Sequence, residues 1–280
     1  MTRRTLASSV SASGTALHAG GTVNMTLAPA AAGTGIVFRR DGTDVPALYD
    51  RVGETRLGTV IAEHGTSIGV IEHLMAAVAG AQVDDMVVML DGPEPPILDG
   101  DAASYLALIE KAGVREQPGE GRAIKILKRV EVSHKDASAA LVPGDGYSFD
   151  FEIVFATPVI GTQRMDWLFS REAFARDIAP ARTFGFVQEL DALHRMGLGK
   201  GASLDNTLAL EGDGLRNPTL QRFPDEFVRH KILDAIGDMA LAGAPLIGRF
   251  EGRKSGHALN NALLRALFAD ESNYRMVSRP

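Results

Sequence analysis

The sequence predicts an α+β fold built from two copies of one plan, and three observations carry that reading. The 280 residues, 45% of them apolar, are enough for two ordinary domains, each with its own core. Each half then runs through the same succession of strands, helix, strand, loop, glycine and helix. Aligning His73 with His230 also lays "LDGDAASYLAL" (98–108) over "KSGHALNNALL" (254–264) with one residue of slippage. The helices bearing the two histidines then face each other across a pseudo-twofold axis. Sites tend to form at such interfaces.

The first half opens with "TLASSVSASG", "GTVNMTLAPA" and "GIVFRR", short strands punctuated by Gly and Pro. A helix is expected over 67–79, closed by Gly80. The strand "DMVVML" (85–90), the loop "DGPEPPILDG" and the helix "AASYLALIEKAG" follow. "VREQPGEGR" (114–122) reads as a linker, which sets domains at 1–115 and 122–280. The second half restarts with "AIKILKRVEVS", "SAALVPG" and "YSFDFEIVF". After a mixed region come a helix over 223–243, the strand "PLIGRFEG" and a last helix, "HALNNALLRALF".

Composition narrows the function. A net charge of −6 argues against nucleic acid as a partner, because phosphate binding calls for a basic surface. With no cysteine, thiolate catalysis, zinc fingers and iron–sulfur clusters are excluded, so any metal is held by His, Asp or Glu. Two N-terminal arginines without an apolar stretch behind them do not make a signal peptide. No apolar run approaches the roughly 18 residues a membrane span needs. A cytoplasmic monomer is expected.

The helix over 223–243 is the most informative element. Pro224 suits a first turn, Asp225 and Glu226 complement its dipole, and Gly243 stands where a cap belongs. Val228, Ile232, Leu233, Ile236, Met239 and Ala240 form its apolar stripe. Opposite the stripe His230, Asp234 and Asp238 stack at i, i+4 and i+8, with Lys231 beside them. Asp and His are poor helix formers, and so far from the first turn the aspartates gain nothing from the dipole. In the first-half helix, Glu72 and His73 lie off the stripe of Ile68, Ile71, Leu74, Met75 and Val78. They sit next to Ala76 and Ala77, small residues that permit close approach. Alone, that pair also suits a solvated surface.

Together the two helices suggest a metal site. His230 and Asp234 can bind one ion from one helix face, and His73 can supply a third ligand from the other half. Three protein ligands and an open position describe a catalytic zinc site. Glu72 would then stand beside the bound water as general base. The H-E-x-x-H motif is absent.

"IEHLMAAVAG", "PILDGDAA", "ARTFGF", "DEFVRHKILDAIGD" and "KSGHALNN" resemble, in order, the signature blocks of the UDP-3-O-acyl-N-acetylglucosamine deacetylase family. These are zinc amidases that commit carbohydrate to lipid A synthesis in Gram-negative bacteria. The resemblance runs from "SASGTALHAG" to about Leu264. It implies two βααβ-type domains packed face to face, each with a small insert and the active site between them. It also implies that His73, His230 and Asp234 hold zinc, with iron as the alternative occupant in the cell, and that Glu72 is the general base. His257 would be the general acid, oriented by Asp238. Lys231 would touch the substrate, a UDP-sugar lipid precursor, and Thr183 would help stabilise the oxyanion. His257 also follows Ser255-Gly256 at a helix start, where the dipole would lower its pKa.

Residues 182–211 resemble the family's β-α-β insert, which forms an acyl-chain passage; Phe184, Leu190 and Leu204 would line it. Arg253 and Lys254, beside the last helix's start, could meet a pyrophosphate. Three positions depart from the family pattern: Val70 where Thr is common, Asp85 after Asp84 where Asn is usual, and Ala202 for a frequent Gly. "GLGKGAS" (197–203) faintly resembles the phosphate loop of GHMP-type kinases, but that loop should open a long helix. A non-enzymatic binding module would leave the His-Asp row unexplained.

Overall fold

A computed structural model describes residues 1–279 and shows a mixed α+β molecule. In the first half, the strands Val10–Thr15, Thr22–Pro29, Met86–Leu90, Ile36–Arg40 and Thr43–Pro46 lie side by side in that order. All neighbours are antiparallel except Met86–Leu90 with Ile36–Arg40, which run parallel. The second half repeats this order and sense with Val130–His134, Ala137–Val142, Leu246–Arg253, Tyr147–Val154 and Thr162–Leu168. Here the parallel pair is Leu246–Arg253 with Tyr147–Val154, and Arg122–Ile126 and Tyr274–Ser278 extend the sheet. Alternation explains the strands: Phe149, Phe151 and Ile153 face the core while Ser148, Asp150 and Glu152 do not.

In each half a helix precedes the strand that completes the sheet: Glu72–Ala81 in the first, Glu226–Ala240 in the second. The two helices pack on each other. Gly237 permits that contact, since a Cβ there would lie 2.0 Å from the carbonyl oxygen of Glu72. Trapped between sheet and partner helix, Glu72 and His73 are buried, so the pair is not solvated.

Three expectations need correction. The first-half helix begins at Glu72, not near Ser67, because β-branched Thr66 and Ile68 pair in a strand with Val60–Glu63. The chain then turns through Val70 at φ 52°, a conformation β-branched residues rarely adopt. Gly80 lies inside the helix rather than closing it, and a Cβ there would come 2.2 Å from the Phe174 ring. Most of the stretch read as a linker is the strand Val114–Glu120, paired with Thr2–Leu6. Buried Asp85 ties it down, accepting from the Gln117 amide at 2.7 Å and from Arg3.

The insert comprises the strands Phe184–Phe186, Leu208–Glu211 and Gly214–Leu215 with the helix Val187–Arg195. It docks on the first half where Gly201 N–H donates to the Leu17 carbonyl at 2.9 Å.

Candidate active site

The two packed helices bring their polar rows together. His230 and Asp234, one turn apart, face His73 across the helix contact. His230 Nε2 lies 3.4 Å and His73 Nε2 3.5 Å from Asp234 Oδ1. All three residues are buried, and one donor atom from each lies within 4.8 Å of the others.

His230 Nδ1–H donates to the Ala181 carbonyl at 3.1 Å, which leaves Nε2 as a lone pair aimed at the cluster. Burial, against the pull of Asp234, pushes the His230 pKa down to about 4, so the ring is neutral. Burial opposes charge on Asp234, but the Lys231 ammonium beside it prevails and holds the carboxyl well below the usual range. Lys231 Nζ donates to Asp234 Oδ2 at 2.6 Å. Among the described residues Asp234 Oδ1, although buried and anionic, accepts no hydrogen bond, and His73 Nδ1 also lacks a partner. Lone pairs converging on an unsatisfied carboxylate oxygen cost free energy unless a cation sits among them. Two nitrogens and an oxygen in this arrangement fit a divalent metal ion.

Glu72 and His257 stand next to this cluster. Glu72 Oε1 lies 3.7 Å from His257 Nε2, and Glu72 Oε2 accepts from Thr59 N–H at 2.9 Å. Burial raises the Glu72 pKa despite the opposing pull of His257 and His73. His257 starts the helix His257–Phe268, and its Nδ1 donates to Asp238 Oδ2 at 2.8 Å. Burial alone would lower the His257 pKa, but Asp238 and Glu72 prevail and raise it to about 9. The downward shift expected from the helix dipole is therefore reversed, because two carboxylates lie closer than the dipole's effect can offset.

A cavity of about 1100 Å³ opens over these groups. His73, His230, Asp234, Glu72, His257, Lys231, Thr183 and Phe184 all line it, with Leu17, Leu57, Val70 and Phe155 adding apolar wall. Asp238 stands behind His257. Leu190 and Leu204 are not brought to the cavity. Leu190 sits half-buried on the insert helix, which has no fully buried residue, and Leu204 is 47% exposed. Lys254 also lies off the lining and pairs with Asp136, while Arg253 is exposed beside Glu152.

Several residues of this site, Leu57 among them, escaped the sequence reading. Asn260, whose amide donates to Asp238 Oδ2 at 2.8 Å, sits one turn beyond His257 and could have been found by that spacing. Thr59, Leu17 and Phe155 carry no local signal.

Comparison with known proteins identifies relatives over nearly the whole chain. The LpxC family model, described as UDP-3-O-acyl N-acetylglycosamine deacetylase, matches residues 3–269. A relative from Myxococcus xanthus (strain DK1622) is 46% identical over 279 residues, covering 98% of this chain and 89% of its own. Another, from Phenylobacterium zucineum (strain HLK1), is 46% identical over 271 residues, covering 94% and 92%. A third, from Anaeromyxobacter sp. (strain Fw109-5), is 44% identical over 277 residues, covering 98% and 91%. Each bears the name UDP-3-O-acyl-N-acetylglucosamine deacetylase.

Proposed function

The chain belongs to the UDP-3-O-acyl-N-acetylglucosamine deacetylase family, and on that premise we propose how its residues hydrolyse the substrate's acetamide, releasing acetate, in lipid A biosynthesis. The observation that carries the reading is the convergence of buried His73, His230 and Asp234 beside a Glu72–His257 pair in one cavity. His73, His230 and Asp234 hold the metal, which we read as zinc. When bound, zinc supplies a Lewis acid that eases deprotonation of water and polarises the substrate carbonyl.

Glu72 takes the proton of the attacking water. Its raised pKa, from burial, gives the base more affinity for that proton than an exposed carboxylate would have. As oxygen adds to the acetamide carbon, the Thr183 hydroxyl donates to the developing oxyanion. His257, protonated at neutral pH, then donates its Nε2 proton to the glucosamine nitrogen as the C–N bond breaks, leaving acetate and the free amine. Asp238 holds the opposite ring nitrogen and keeps Nε2 pointed into the cavity. Lys231 keeps Asp234 ionised and presents its charge to the substrate from the cavity wall. Phe184, with Phe155 and Leu17, offers the acyl chain an apolar surface.

Several further points belong to this reading. We read the chain as two domains, near 1–115 and 122–280, with the site between them, although Val114–Glu120 is a strand and not a linker. No helix of the described residues is long and apolar enough to cross a membrane. We read the enzyme as a cytoplasmic monomer whose partner is its UDP-sugar lipid substrate. The kinase alternative has little support, since residues 197–203 lead through turns into the strand Leu208–Glu211 and open no helix.

The test is acetate release from UDP-3-O-(3-hydroxyacyl)-N-acetylglucosamine by the purified chain, beside Glu72→Gln. Equal turnover by the two proteins, or none by the wild type, would remove the proposal.

A further inference from the structure

Thr59 immediately precedes the strand Val60–Glu63 and is 2% exposed. It bonds with both sides of the site. Its N–H donates to Glu72 Oε2 at 2.9 Å, the only hydrogen bond that carboxylate accepts among the described residues. Its hydroxyl donates to Asp238 Oδ1 at 2.5 Å, across 179 residues of sequence. An ionised carboxylate only accepts, so the single hydroxyl proton of Thr59 must point at Asp238. Asp238 in turn holds His257 Nδ1 at 2.8 Å. The carbonyl of Thr59 accepts from Ile71 N–H at 3.4 Å, tying the strand to the turn that starts the Glu72 helix. Gly58 lets the chain come this close: its φ is +145°, and a Cβ there would lie 2.9 Å from Glu72 Oε1.

We infer that Thr59 is a positioning residue, one residue that aligns the base through its backbone amide and the acid through its hydroxyl, across the contact between the two halves. The inference rests on the roles given above to Glu72 and His257. Those two groups come from different halves and lie 3.7 Å apart, so their spacing depends on how the halves meet. Thr59 ties them from behind, through its amide to Glu72 and through its hydroxyl and Asp238 to His257. Val would fill the same volume and keep the amide, but the link to Asp238 would be lost. Asp238 Oδ1 would then be buried without a donor, and the carboxylate that holds His257 would keep only its Oδ2 anchor, the Asn260 amide. Proton delivery to the leaving nitrogen would suffer, while substrate and metal binding would not.

The experiment compares Thr59→Val, Thr59→Ser and His257→Ala, singly and with Thr59→Val placed in the His257→Ala background. Readouts are kcat and KM on the UDP-sugar substrate, bound metal per chain, and the melting temperature. Thr59→Val should lower kcat roughly 10- to 100-fold, the usual scale for groups that orient a catalytic residue, with KM and bound metal unchanged. Thr59→Ser, which keeps the hydroxyl, should recover most of the rate. In the His257→Ala background Thr59→Val should cost almost nothing further, because the residue through which it acts is gone. If Thr59→Val does not fold, Thr59→Ala carries the same comparison. A kcat within threefold of wild type would overturn the inference. So would a loss that persists undiminished without His257, or one that Ser fails to rescue. Should His257→Ala itself turn over normally, the acid assignment fails instead, which is a separate result.

Discussion

Gly237 is where the packing of the two helices can be tested against the chemistry it supports. A Cβ at this position would lie 2.0 Å from the Glu72 carbonyl oxygen, 2.7 Å from its carbon and 3.0 Å from its Cα. All three are backbone atoms, so no side chain can swing away. To reach ordinary van der Waals contact in Gly237→Ala, the helices must part by about 1.4 Å. Overpacking of this kind costs about 1–3 kcal/mol of stability, which a protein of this size should survive. The metal site should not. His73 rides on one helix and His230 and Asp234 on the other, while metal–ligand distances tolerate only about 0.2 Å of error. Displacing a reacting group by about 1 Å also costs roughly a hundredfold in rate. Gly237→Ala should therefore melt as a folded protein yet bind metal far more weakly and lose at least roughly a hundredfold in kcat. Metal analysis after gel filtration, circular dichroism and acetate release measure the three quantities. A folded Gly237→Ala with one ion per chain and normal kcat would refute the reasoning.

Other outcomes follow from the same geometry. His73→Ala, His230→Ala and Asp234→Ala should each lose bound metal and turnover while remaining folded, as metal analysis and melting curves would report. Glu72→Gln and His257→Ala should keep the metal and lose roughly two or more orders of magnitude in kcat, the usual scale for acid–base groups. His257 is raised above its ordinary 6.5 to about 9, so the acid is charged below that value and the rate should fall as pH rises through it. Asp238→Asn removes the larger carboxylate influence and should move this alkaline limb down toward 6.5 in a kcat–pH profile. Removing the substrate's 3-O-acyl chain should lower kcat/KM at least about a thousandfold, or roughly 4 kcal/mol, since each buried CH₂ contributes up to about 0.8 kcal/mol. Phe155→Ala should narrow that gap between the two substrates, whereas Leu204→Asp, at a site 47% exposed and off the cavity, should leave it unchanged.

What could be read from the sequence was what local periodicity encodes. The row of His230, Asp234 and Asp238 follows from 3.6 residues per turn, and its cost in helix propensity marked it as a candidate site. Strand order needs long-range pairing, yet the matching succession of elements in the two halves anticipated the recurring order of the sheets. The failures were places where tertiary contact decides. Glu72 and His73 looked open to solvent because the partner helix, admitted by Gly237, is 164 positions away in the chain numbering. Residues 114–120 looked like a linker because Pro118 and Gly119 obscured a strand whose partner is at the other end of the first half. His257 was assigned a lowered pKa because a helix start is visible in sequence, whereas the approach of Asp238 and Glu72 is not. Leu204 counted as passage wall on the resemblance of 182–211 to the family's insert, which does not say which way each side chain faces; it is 47% exposed.

One metal ion, held by His73, His230 and Asp234, should be required for acetate release. The most direct measurement strips the protein with a chelator and follows acetate release from the UDP-sugar as zinc is added back in substoichiometric steps. The rate should rise linearly from near zero and level off at one ion per chain, and Asp234→Ala should show no rise. Undiminished acetate release by the metal-free protein would contradict the claim outright.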